Sequence, residues 1–228
     1  MPDTLTTYVI LLRAIGPATH RLMRMAQWRE AAERAGFESP ETLGNTGNMI
    51  AGYRGTEAKA REAMVAVLRG FGLGENVVPV LRSPAQLRKL VAADPVRDAA
   101  DSRPAQTGVY FFAAPQPDLG WLDHYEGPEA IHVVGTHLVV DFTRDVAQSG
   151  RLIRLIDKHC GLNTARNWNT VRKLAERCGD RGASLRVIPA KAGTSVHGAA
   201  SQTEVPAFAG MTSRGTGASR RVEKKKKS

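Results

Sequence analysis

Between residues 6 and 81 the chain alternates between strand and helix patterns, and the order of those patterns leaves few folds open to it. Residues 6–12, Thr-Thr-Tyr-Val-Ile-Leu-Leu, are β-branched or apolar throughout, the signature of a buried strand. Leu22, Met25, Trp28, Ala32 and Ala35 then recur at three- and four-residue steps. Arg24, Gln27, Glu30, Glu33 and Arg34 fill the opposite face and Gly36 stands as a stop, which predicts an amphipathic helix. Residues 41–44 and 48–53 read as short strands around Asn45-Thr46-Gly47, a hairpin signal. Thr56 is placed to cap a second helix with the stripe Ala60, Ala63, Met64, Val67, Leu68 and Phe71. Residues 76–81 return to strand, and Pro79, which lacks an N–H, puts that strand at a sheet edge.

The order strand-helix-strand-strand-helix-strand is that of the ferredoxin-like plait. The second half follows a similar plan. Ser83-Pro84-Ala85-Gln86 combines an N-cap serine, proline at the first helical position and glutamine at the third, and opens a short helix ending before Pro95. Residues 94–107, rich in Asp, Ala, Pro and Ser, read as a loop. A strand at 108–113, a helical turn at 118–124 and strands at 130–134 and 137–142 around Gly135-Thr136 follow. Leu152, Leu155, Ile156 and His159 mark the inward face of a helix before Gly161. The segment 164–171, Thr-Ala-Arg-Asn-Trp-Asn-Thr-Val, opens a last helix whose stripe is Trp168, Val171, Leu174, Ala175 and Cys178, with Gly179 as its stop. The expected architecture is α+β: two tandem ferredoxin-like units with antiparallel sheets, residues 1–81 and 82–179. The second has its final strand replaced by a helix, and a disordered tail follows at 180–228.

Charge supports that division. The chain of 228 residues carries a formal net charge of +10, yet from Arg181 onward ten Lys and Arg face Glu204 and Glu223 alone, a net of +8 that leaves +2 for residues 1–180. DNA binding needs a basic face on the folded domain, so composition gives the body no support as a nucleic-acid binder; only non-specific contact through the tail is expected. The tail shows neither strand nor helix period. Its near-copies at 187–195 and 205–213 resemble the translated halves of an inverted intergenic repeat. Cys160 and Cys178 fall at core-facing helical positions without Cys-x-x-Cys spacing and are expected as buried free thiols. The N-terminus lacks a signal-peptide pattern and no apolar run is long enough to span a bilayer, so a soluble, cytoplasmic protein without a membrane partner is expected.

The assembled pattern resembles the bacterial domain-of-unknown-function 1697 family over residues 6–178. Leu11-Leu12-Arg13-Ala14-Ile15-Gly16 is similar to the family's Leu-Leu-Arg-Gly-Ile-Asn. Thr46-Gly47-Asn48-Met49 is similar to its Ser-Gly-Asn-Val hairpin, and Arg166-Asn167-Trp168-Asn169-Thr170-Val171 to its C-terminal mark. Gly36-Phe37 also fits. The chain departs from the family where Gly-Ile-Asn-Val-Gly-Gly becomes Ala-Ile-Gly-Pro-Ala-Thr at 14–19, and where Leu43 replaces the usual tyrosine. The resemblance implies a tandem of ferredoxin-like units and no known reaction.

Topology singles out one edge for chemistry. The first and third strands of such a unit are central neighbours, so Arg13 is expected to meet Asn48 beside the loop 15–20 and the glycine-spaced segment 70–74. Arg13, Thr46 and Asn48, with loop amides, would form a site for a small polar or anionic ligand. The competing structural reading is that Gly47-Asn48 supplies positive φ for a turn and Arg13 neutralises a carboxylate. Arg166 and Asn169 face outward, as further ligand groups, or across to the other unit, while Trp168 starts the core stripe. His132 and His137 share a hairpin face but lack a third ligand at a recognised spacing, so no metal or other cofactor is expected. Nucleophile-elbow, phosphate-loop and His-Glu-x-x-His patterns are missing from the sequence. The leading expectation is a non-catalytic module that binds a small ligand or another protein, with self-association into a homo-oligomer open to it. An enzyme acting on a small polar or anionic metabolite through the Arg13/Asn48 edge comes second. A nucleic-acid binder using Tyr8, Tyr53, Tyr110, Phe111 and Phe112 on its sheets comes third.

Overall fold

The computed structural model describes residues 4–184. Its first unit runs β1 (Leu5–Leu12), α1 (Pro17–Leu22), α2 (Met25–Arg34), β2 (Phe37–Thr42), β3 (Asn48–Arg54), α3 (Glu57–Gly70) and β4 (Pro79–Arg82). The strands form an antiparallel sheet in the order β2-β3-β1-β4, so β1 and β3 are central and Pro79 does sit on an edge strand. Alternation along β1 divides the core. Tyr8, Ile10 and Leu12 pack with Trp28 and Ala32 of α2 and with Ala60, Met64 and Leu68 of α3, while Val9 and Leu11 face the opposite way.

A second unit repeats the plan through β5 (Thr107–Phe112), β6 (Ala130–Val134), β7 (His137–Asp141), α6 (Gly150–Cys160) and β8 (Asn163–Arg166), in the sheet order β6-β7-β5-β8. The expected final strand is therefore present, not replaced. Helix α4 (Pro84–Ala93) follows β4 and helix α7 (Trp168–Ser184) follows β8. The two helices pack together, and Leu87, Leu90, Trp168, Val171 and Leu174 join Val9, Leu11, Val109, Phe111 and Val139 in one core shared by both units. The sheet faces opposite α2, α3 and α6 are thus closed by the junction.

Other boundaries move for physical reasons. The segment 94–107 holds α5 (Arg97–Ser102) and a 3-10 turn (Pro104–Gln106), because Val96, Ala99 and Ala100 bury into the shared core. The loop after β1 contains α1, and β2 begins at Phe37, which is buried. Gly179 does not stop α7, which continues to Ser184; Arg181 there donates to Ser39 O (2.6 Å) and pairs with Glu41 (3.3 Å). The expectations about the tail and its repeats from residue 185 onward lie outside the described residues. Cys160 and Cys178 are buried free thiols, and burial pushes Cys178 up to about 11. No helix among the described residues is long and apolar enough to cross a membrane.

Candidate functional site

The polar edge expected at the first hairpin exists, but its chemistry points inward. Asn48 pairs with Leu11 at the start of β3 and is 1% exposed. Its Nδ2 donates to Leu43 O (3.0 Å) and Thr46 Oγ1 (2.8 Å), and its Oδ1 accepts from Arg166 Nε (2.5 Å). Arg166, at the end of β8, is 7% exposed and reaches across the junction. Its Nη2 donates to the carbonyls of Leu12 (2.8 Å), Thr46 (3.0 Å) and Gly47 (3.2 Å), and its Nη1 to Thr164 Oγ1 (2.6 Å) and Ala165 O (2.8 Å). Every one of these acceptors is neutral. Burial pushes the guanidinium down to about 10, well short of discharging it at neutral pH. Of the two orientations open to Arg166 in the sequence, the structure adopts the one facing the other unit.

The remaining expected residues lie apart from this cluster. Strand β1 ends at Leu12 and Ala14, at φ 60°, turns the chain away, so Arg13 donates to Asn76 O (3.3 Å) instead of meeting Asn48 or a carboxylate. Asn169 accepts from Arg172 Nη2 (2.6 Å) on its own helix. Asn167 caps α7, its Oδ1 accepting from Thr170 N at 2.8 Å. Positive φ in the hairpin belongs to Gly44 (φ 64°) and Gly47 (φ 76°); Asn48 is extended strand, so the structural reading of a Gly-Asn turn holds for the glycine only. A Cβ on Gly47 would stand 2.7 Å from Ile15 Cγ1 and 2.8 Å from Leu12 Cβ. Gly47→Ala should therefore cost about 1–3 kcal/mol, from overpacking as well as backbone strain, measurable by denaturant unfolding.

A second junction cluster, not foreseen from the sequence, mirrors the first. Arg82 ends β4 opposite Val9 as Arg166 ends β8 opposite Val109. Its Nη2 donates to Phe112 O (2.6 Å) at the end of β5, its Nη1 to Leu81 O (2.6 Å), and its Nε to His137 Nε2 (2.8 Å) at the start of β7. Leu12 O, Ala165 O and Asn48 are the matching partners of Arg166. Each unit thus sends an arginine from its fourth strand into the other unit, and in each the next residue (Ser83 or Asn167) caps the helix that follows. His137 is consumed in this cluster, and no group of three or more potential metal-ligating side chains occurs among the described residues.

On its outer side the first hairpin borders a shallow, open recess of about 330 Å³ lined by His20, Arg24, Met25 and Asn45. The aromatic residues considered as base-stacking platforms are enclosed: Tyr8, Tyr110, Phe111 and Phe112 are all buried and Tyr53 is half-buried against Phe37.

Fold and junction together define a protein of two ferredoxin-like units locked face to face by reciprocal arginines. The family model described as "Protein of unknown function (DUF1697)" matches residues 5–138, and the chain belongs to that family. The C-terminal mark around Arg166 and Trp168 lies beyond the matched stretch. Among solved structures, that of the conserved bacterial protein SP0830 from Streptococcus pneumoniae is similar in fold. Its TM-score is 0.61 at 16% identity, covering 77% of this chain and 99% of that one. No curated protein matches the chain.

Proposed function

We propose that this protein is a cytoplasmic, non-catalytic binding module that presents a small polar or anionic ligand site at the corner between α1, α2 and the first hairpin. The observation carrying this reading is the two-sidedness of the hairpin. Its inner side is fastened by Arg166 through the Thr46 and Gly47 carbonyls, while on its outer side Asn45 joins His20 and Arg24 around an open recess without a carboxylate in its lining. A fixed concave surface with a guanidinium and an imidazole suits an anion, because little ordering entropy is lost on binding. Binding is favoured over chemistry because Asn48 and Arg166, the strongest polar groups of this edge, spend their hydrogen bonds on each other and on the backbone.

The test is a thermal-shift and calorimetric titration with inorganic phosphate, small carboxylates and mononucleotides. At a hundredfold excess over Kd a native-state ligand adds about 2.7 kcal/mol of stability. Arg24→Ala should weaken binding more than tenfold, since a charge-assisted hydrogen bond contributes roughly 1.5–3 kcal/mol. Undiminished binding by Arg24→Ala, or no response to any of these anions, would overturn the assignment. Chemical turnover of a bound compound would favour the enzymatic reading instead.

A further inference from the structure

The two outer edge strands, β2 and β6, hold equivalent places in their sheets but are treated in opposite ways. Edge β2 is protected against pairing. Its register breaks between Glu38 and Glu41, Ser39 sits at φ 47°, Pro40 has no N–H, and Arg181 of α7 caps the Ser39 carbonyl at 2.6 Å. Edge β6 has none of these devices. Its sequence, Ala-Ile-His-Val-Val, contains no proline or carboxylate, and its register with β7 is unbroken from Ala130↔Asp141 to Val134↔His137. Val133 is 52% exposed, one of the few large apolar side chains so placed. Glu129, the carboxylate that precedes the strand in sequence, is turned inward to Tyr125 (2.6 Å) and Arg144 (3.7 Å), with its side chain 2% exposed, and Asp141, opposite Ala130 on β7, is paired with Arg103.

Ladder geometry says which groups are on offer. Gly135 and Thr136 form a two-residue hairpin loop, so the closing pair Val134↔His137 exchanges backbone hydrogen bonds, as do His132↔Val139 and Ala130↔Asp141. The N–H and C=O groups of Ile131 and Val133 therefore point away from β7, and among the described residues no backbone bond reaches them from another element. These two residues are spaced symmetrically about His132. We infer that β6 is a self-pairing edge: a second copy of this chain adds its own β6 antiparallel, about a two-fold axis at His132, and joins the two β6-β7-β5-β8 sheets into one. The axis sets Ile131 opposite Val133 of the second copy and the reverse, so each exposed valine gains an apolar neighbour and the outward amides find partners in register. A strand without carboxylates, whose flanking Glu129 is internally paired, meets its own copy without carboxylate repulsion. Its five residues bury less surface than a permanent interface needs, so the dimer is a weak, concentration-dependent one.

Sedimentation equilibrium and amide hydrogen exchange on the full chain test this together. Across roughly 1–500 μM, a range bracketing weak association, the average mass should rise from one chain toward two. The Ile131 and Val133 amides should gain protection over the same range, while Ala130 and His132, already bonded to β7, should not change. Val133→Lys, at an exposed position, should keep the wild-type melting temperature of the dilute protein and weaken dimerisation at least tenfold. A monomer at every concentration, or a dimer indifferent to Val133→Lys, would overturn the inference. So would Ile131 and Val133 amides protected in the dilute monomer, which would mean that the chain covers this edge itself.

Discussion

Replacing Arg166 by methionine is expected to lower the stability of the folded chain by about 2–6 kcal/mol, from two acceptors left without a donor in the junction at about 1–3 kcal/mol each. For a body of this size that is a fall of roughly 10 °C in melting temperature. Two effects oppose each other. A lone buried cation is costly, and burial does push this guanidinium down to about 10, so an apolar side chain of similar length relieves a penalty. Against that stand acceptors that a methionine cannot serve. Gly47 O keeps its bond from Leu12 N, and Leu12 O keeps the Thr164 hydroxyl, but Thr46 O and Asn48 Oδ1 lose their donor inside the junction. The acceptor loss wins because the methionine offers no donor to either group, and Thr46 O, being backbone, cannot be removed by a compensating substitution. Arg166→Lys should be no milder: an ammonium keeps the desolvation cost without the planar fork that reaches three carbonyls of the other unit and Asn48 together. Denaturant unfolding measures both variants, and a methionine variant as stable as wild type would show that the arginine does not hold the units together.

The elements that sequence patterning located well are those that bury one face against their own unit. Strand β1, helices α2 and α3, the 48–54 strand and the capped start of α4 all carry a local period or a cap of their own. Strand β8 escaped because its residues, Asn163-Thr164-Ala165-Arg166, have almost no apolar content. Asn163, Thr164 and Arg166 are nonetheless buried, by the other unit and by hydrogen bonds to Leu12, Asn48 and Asp157. Burial that depends on a second domain leaves no hydrophobic period to read. The same cause hid α5, whose alanines look like loop composition until Val96, Ala99 and Ala100 are seen in the shared core.

The candidate site was half legible for a related reason. The family mark at 164–171 is one of two copies of a strand-arginine-cap-helix unit, the other being Val80-Leu81-Arg82-Ser83-Pro84-Ala85-Gln86-Leu87. The copies share the arginine, a capping residue after it, and apolar positions at Leu87 and Leu90 or Val171 and Leu174. That is too sparse a match to stand out in a single sequence. Topology correctly put Asn48 beside the end of β1, yet the residue that completes its bonding lies 118 positions away in the other unit. Arg13, the local choice, is carried off by the turn at Ala14.

The two junctions differ in one respect that makes the second separately testable: Arg166 meets the amide of Asn48, which does not titrate, whereas Arg82 meets His137, which does. Arg82 Nε donates to Nε2 at 2.8 Å, so the proton sits on Nδ1, which faces Val134 O at 3.2 Å. Burial, aided by the Arg82 charge, lowers His137 from the ordinary 6.5 to about 4. The unfolded chain therefore takes up this proton at a higher pH than the folded one. The contribution is fully present above about pH 6.5, declines as pH falls toward 4 and is spent below it, a total of about 3 kcal/mol at 1.36 kcal/mol per pH unit. His137→Gln places an amide oxygen near the position of Nε2 and keeps an acceptor for Arg82, but it does not titrate. Unfolding free energies at pH 7 and pH 4.5 should show wild type losing about 2 kcal/mol more than the glutamine variant over that interval, because carboxylates titrate alike in both and cancel. Equal losses in the two proteins would mean that His137 is not held neutral by the junction.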